Sequence, residues 1–133
     1  PVGLGTDISG GFSPSMYHSI RQTVMSSRML EDGVNPNLAP DHRGLPNSRL
    51  TIHEAFFLAT ARGGESLKLP IGKLEETYAW DVQIIDTKAP NAKIPFFEDG
   101  PNLDHVFQKI MYLSTTENIR QVWVQGQKVS SRN

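Results

Sequence analysis

Asp7, at the end of the short apolar run Val2-Gly3-Leu4-Gly5-Thr6, is the residue whose type and place could do chemistry. An ionised carboxylate at the C-terminal end of a buried strand can ligate a metal or take a proton, and in folds that alternate strands and helices the reactive groups project from that end. The same carboxylate can instead cap the following turn by accepting nearby amide hydrogens. Spacing alone favours that plainer reading. His18, His42, His53 and His105 are the other candidate donors, but they are scattered, contain no His-x-His pair, and read as surface or structural residues. The sequence has no cysteine, so any metal must be held by histidine and carboxylate. Gly3-Leu4-Gly5 fails as a nucleotide-binding fingerprint, because Ile8 stands where the third glycine belongs and no Gly-Lys-Ser/Thr run exists. Ser9, Gly10 and Gly11 would let backbone approach a planar ring closely, or simply make a tight turn. Phe12 and Trp80 could stack on a base, although an isolated aromatic is more often core.

Val2 to Thr6 lacks polar alternation and suits a short strand buried on both faces. A loop from Ile8 to Pro14 follows, then Ser15 as an N-cap for a helix from Met16 to about Leu30 with a stripe of Met16, Ile20, Val24 (with Thr23) and Met29 or Leu30. Residues 32–49 are rich in Gly, Pro and Asn and predict an exposed, flexible loop. Thr51 with Glu54 forms a capping box for a second helix, which Gly63-Gly64 should break or bend. From Pro70 the signal turns to strands. Trp80 to Asp86 is rich in β-formers, Leu103 to Leu113 is helical, and Ile119 to Val129 predicts a hairpin turning at Gln125-Gly126. Two portions are expected, residues 1–69 and residues 70–133.

At 133 residues and 38% hydrophobic content, the chain can bury one modest core and not two independent ones. Its 13 basic and 14 acidic side chains nearly cancel, to a formal net charge of -1, so a polyanionic partner such as nucleic acid is not expected. No stretch approaches the roughly 20 apolar residues that cross a bilayer, so no membrane partner is expected and cytoplasm is the default location. A start at Pro1, running at once into an apolar segment, reads as a cut through something longer.

Gly5-Thr6-Asp7-Ile8-Ser9-Gly10-Gly11-Phe12-Ser13-Pro14-Ser15-Met16 closely resembles the segment at the end of the eighth barrel strand of guanine deaminases. The resemblance continues through Ser19 to Met25, Leu50 to Thr60 and Ile119 to Val129, leaving out the 32–49 loop. It departs where Thr77 and Tyr78 replace a usual glycine and lysine, although Gly72 and Asp81 keep their separation, which puts the local turn geometry in question.

The resemblance implies an α/β fold: the C-terminal part of a metal-dependent (β/α)8 barrel, its last strand and helix, plus strands of a small accessory β-sandwich. It implies a zinc-dependent aminohydrolase that converts guanine to xanthine and ammonia in purine catabolism, with one zinc per active site and a homodimeric whole enzyme. In that family the zinc is held by a His-x-His pair, two later histidines and the aspartate that Asp7 matches. Asp7 would thus be both metal ligand and catalytic proton acceptor, while the other ligands and the glutamate acid have no counterpart here. The fragment alone is expected to be inactive. Alternatives are a non-catalytic interaction module derived from such an enzyme, or a related deaminase acting on another heterocycle.

Overall fold

In the computed structural model, which describes residues 1–97, 100 and 102–132, the helices follow the apolar periodicity of the sequence. The chain divides into two units, one of Val2–Gly63 and one formed from Gly64 onward.

The first unit is built on helix α1 (Met16–Asp32) packed against α2 (Ile52–Ala59). Ile20 and Val24, one helical turn apart, are buried, as are Ile52 and Ala55 of α2. Removing a large apolar side chain of this kind from water contributes about 1.5–3 kcal/mol. The stripe ends earlier than expected: Met29 and Leu30 are 54% and 53% exposed, and Ser27 takes the buried place. Ser27 can be buried because its hydroxyl donates to the Val24 carbonyl at 2.8 Å and accepts the Leu50 N–H at 2.9 Å.

The loop of residues 32–49 contains a short 3-10 turn, Pro40–His42, and returns to the end of α1. The Leu45 N–H donates to the Leu30 carbonyl at 3.0 Å, and Arg49 pairs with Glu31 at 2.8 Å and Asp32 at 2.6 Å. The capping box at Thr51 forms as expected, with the Thr51 hydroxyl accepting the Glu54 N–H and the Glu54 carboxylate accepting the Thr51 N–H at 2.7 Å.

Two local expectations are corrected. Gly63-Gly64 does not break a helix: α2 ends at Thr60, and both glycines lie inside α3 (Ala61–Leu67). Gly64 is there for close approach, since a Cβ on it would overlap the Ile71 carbonyl, whereas a Cβ on Gly63 would meet only the Leu58 carbonyl at 3.7 Å. Val2 to Thr6 is not assigned as a strand; its one backbone bond of this kind is from the Leu4 N–H to the Leu58 carbonyl at 3.0 Å. A strand exists through its ladder, and no described segment pairs with these residues.

The second unit carries a three-stranded antiparallel sheet in the order β1 (Val82–Ile85), β2 (Ile119–Val124), β3 (Gln127–Ser131). Val82 pairs with Trp123 and Gln83 with Val122, and Val124 pairs with Gln127 across the hairpin. Gln125 and Gly126 take φ of 49° and 77°, the two left-handed residues of a type I′ turn, at the expected place. Asp81 fixes that turn by accepting the Gln125 N–H at 2.8 Å. Helix α4 (Leu103–Leu113) lies between β1 and β2 in sequence, is capped by Asn102, and buries Met111.

Asn118, fully buried, links three segments of this unit: its amide donates to the carbonyls of Asp86 and Ala92, and its oxygen accepts the Thr115 N–H. Thr77, where the resembled family carries glycine, takes φ 74°. No helix among the described residues is long and apolar enough to cross a membrane.

Candidate functional site

Asp7 opens a tight loop that ends at the first turn of α1. Its backbone is left-handed at φ 50°, a conformation aspartate tolerates better than most residues. The Ile8–Ser9 peptide is cis. The Gly11 N–H donates to the Asp7 carbonyl and closes the loop. Gly11 has no room for a side chain, since its Cβ would overlap the Thr6 carbonyl, and a Cβ on Gly10 would stand 2.7 Å from Asp7 Oδ2 and displace that carboxylate. The sequence reading of Gly10 and Gly11 as a tight turn is therefore realised.

The plainer alternative for Asp7 was that its carboxylate caps the turn. The turn is instead closed by the Asp7 backbone carbonyl, and the side chain makes no hydrogen bond or ion pair with any described residue. It is exposed, with Oδ2 lying over Gly10.

Beyond the glycines, Phe12 is 78% exposed and stacks on the His18 ring with centroids 6.1 Å apart and planes 12° from parallel. Ser13 Oγ lies 2.7 Å from His18 Nδ1 and accepts the Ser15 N–H at 3.2 Å. Ser15 occupies the N-cap position but its side chain makes no capping bond; Ser13 meets the Ser15 amide instead. This Phe12, Ser13 and His18 cluster was not anticipated. Its only sequence signal is Ser13 two residues before the cap, with His18 one turn into the helix. In the next turn, Arg21 lies 6.0 Å over the Tyr17 ring, and burial raises the Tyr17 pKa and lowers that of Arg21.

The remaining histidines are not brought to Asp7 as a donor set. His42 is an exposed neighbour of Asp41 at 3.4 Å, His53 lies in the first turn of α2, and His105 is exposed on α4. Among the described residues no three His, Cys, Asp or Glu side chains group closely enough to hold a metal ion. Asp7 fits one place in a zinc shell, as an exposed carboxylate of a type zinc accepts, and the other donors would come from elsewhere. Trp80 belongs to the second unit, where its carbonyl accepts the Gly126 N–H at 3.1 Å.

Similar proteins carry the same segment. The human guanine deaminase is 37% identical over 134 residues, covering 96% of this chain and 27% of that protein. The guanine deaminase of Dictyostelium discoideum is 35% identical over 130 residues, covering 96% of this chain and 26% of its own length. The chain thus spans about a quarter of the length of these relatives.

Among solved structures, a guanine deaminase from C. acetobutylicum with bound guanine in the active site matches with a TM-score of 0.73 and 25% identity, over 97% of this chain and 27% of that one. The E. coli guanine deaminase matches with a TM-score of 0.67 and 26% identity, over 99% and 28%. The sequence profile of the amidohydrolase family extends over residues 1–129, so nearly every residue described above, Asp7 and its loop included, falls within it. The chain belongs to the amidohydrolase family.

Proposed function

We propose that this chain is the C-terminal portion of a zinc-dependent guanine deaminase that hydrolyses guanine to xanthine and ammonia in purine catabolism. The observation that carries the reading is the exposed carboxylate of Asp7, on a loop closed by the Gly11-to-Asp7 backbone hydrogen bond, in a chain whose relatives are guanine deaminases. Asp7 is its metal ligand and catalytic residue. On this reading residues 2–6 are the last strand of a (β/α)8 barrel, α1 is the helix that follows it, and the β1–β3 sheet belongs to a small accessory β-sandwich. The portions are residues 1–69, with 32–49 as a flexible loop, and residues 70–133.

A bound zinc ion lowers the pKa of a coordinated water toward neutrality and so supplies the attacking nucleophile. Asp7 is one of the residues that would hold it. The ionised Asp7 carboxylate orients the attacking water and accepts its proton, which requires an oxygen not already committed to a turn amide. The left-handed backbone of Asp7 and the Gly11-to-Asp7 hydrogen bond set the direction of that oxygen before substrate arrives. Attack at the carbon bearing the exocyclic amine gives a tetrahedral adduct, and ammonia leaves once the amine is protonated. The glutamate acid and the other zinc ligands of the resembled family have no counterpart among these 133 residues, so on this reading the chain alone is expected to be inactive. The whole enzyme is a cytoplasmic homodimer in this account.

The test is ammonia release by the intact protein that contains this chain, offered guanine, adenine, cytosine and an s-triazine. Guanine should be turned over in preference to the others, and Asp7→Ala should remove nearly all of that turnover. Preference for another heterocycle moves the substrate assignment. Near-wild-type turnover by Asp7→Ala refutes the role of Asp7.

A further inference from the structure

We infer that His18 is a positioning residue for Asp7, acting through Ser13 and Phe12. The inference rests on the reading of Asp7 above and adds a residue outside its proposed metal shell. Ser13 Oγ accepts the Ser15 N–H and, with a hydrogen and a second lone pair still to use, shares a 2.7 Å hydrogen bond with His18 Nδ1. The same ring lies near-parallel to Phe12, offset, with centroids 6.1 Å apart. His18 thus grips two consecutive residues of the loop, by a hydrogen bond and by a ring contact.

His18 itself is anchored. It sits in the first turn of α1, two residues before buried Ile20, on the helix that packs against α2. On the other side, Phe12 follows Gly11 directly, and the Gly11 N–H is the bond that closes the loop onto the Asp7 carbonyl. A continuous path runs from the packed helix through His18, Phe12 and Ser13 to Gly11 and then to the backbone of Asp7. The N-terminus of α1 needs this arrangement for its own reasons, because the Ser15 side chain leaves it uncapped. Releasing His18 should let the Phe12-Ser13 pair swing and weaken the Gly11-to-Asp7 bond.

The test uses the intact protein with His18→Ala, Ser13→Ala and His18→Asn, the last offering an amide oxygen near the place of Nδ1. Loss of a hydrogen bond of this kind corresponds to a change of about 3- to 10-fold. Exchange of the Gly11 amide with solvent should speed up by that factor in His18→Ala and Ser13→Ala, and His18→Asn should restore protection to within about twofold. The kcat for guanine should fall by a similar factor in His18→Ala with KM changed by less than about twofold. Unchanged Gly11 exchange in both alanine variants overturns the inference, as does faster exchange with an unchanged kcat. A lowered melting temperature with neither of those changes overturns it too, since that is what a merely structural residue would give. If the wild-type protein does not act on guanine, the proposed function fails, while the Gly11 measurement still decides whether His18 holds the loop.

Discussion

Replacing Asn118 with alanine should destabilise the second unit by about 3 kcal/mol, counting three lost hydrogen bonds at about 1 kcal/mol each. The side chain is 0% exposed and makes those bonds to separate segments: from the Thr115 N–H at 2.9 Å, to the Asp86 carbonyl at 2.9 Å and to the Ala92 carbonyl at 2.6 Å. Alanine leaves one amide hydrogen and two carbonyl oxygens without these partners, and also a small void. Asn118→Asp keeps the shape but turns a carboxylate oxygen toward two carbonyl oxygens, so at neutral pH it should cost at least as much. Trp80 and Trp123, the chain's 2 tryptophans, both lie in this unit, so their fluorescence during urea unfolding reports on it. The midpoint should fall at constant slope. A loss below about 1 kcal/mol would mean that water replaces these bonds at little cost, and would refute the assignment of Asn118 as the tie between the segments.

Thr77 carries a β-branched side chain at φ 74°, so Thr77→Gly should raise stability by about 0.5–1 kcal/mol, strain relief outweighing the added freedom of glycine in the unfolded chain; urea unfolding measures it. Thr51→Ala removes the hydroxyl half of the α2 capping box and should cost about 1 kcal/mol in the thermal unfolding of the first unit. The Thr51 backbone N–H, and then its hydroxyl, hold the Glu54 pKa below its usual 4.5. A depressed carboxylate pKa adds stability that is complete above the unfolded value and is lost as pH falls through the folded one. Unfolding midpoints of the wild type should therefore drop on acidification below about 4.5, and Glu54→Gln should flatten that part of the curve; parallel curves for the two proteins count against the capping box as its cause.

Much of the local structure could be read from the residues themselves. Helix α4 runs over the expected Leu103–Leu113, because an asparagine cap and helical apolar spacing act over short range. The hairpin turns at Gln125-Gly126 because that pair tolerates two left-handed residues. What failed depended on distant partners. Gly63 and Gly64 looked like helix breakers, yet both lie inside α3, where Gly64 serves the close approach of the returning chain at the Ile71 carbonyl. Val2 to Thr6 has the composition of a buried strand, but a ladder requires neighbours that composition cannot supply.

The candidate site divides in the same way. Asp7 was a candidate from residue type and position, but spacing alone favoured a turn cap, and the resemblance of residues 5–16 to guanine deaminases is what raised it above that. That the carboxylate stays free while the backbone carbonyl closes the turn, and that His18 holds Ser13 and Phe12, follow only from three-dimensional placement.

The most direct test of the account is a zinc-edge anomalous map from crystals of the intact protein. A zinc ion should appear about 2.0–2.2 Å from an Asp7 carboxylate oxygen, with histidine nitrogens completing its shell. A zinc peak remote from Asp7 would contradict it.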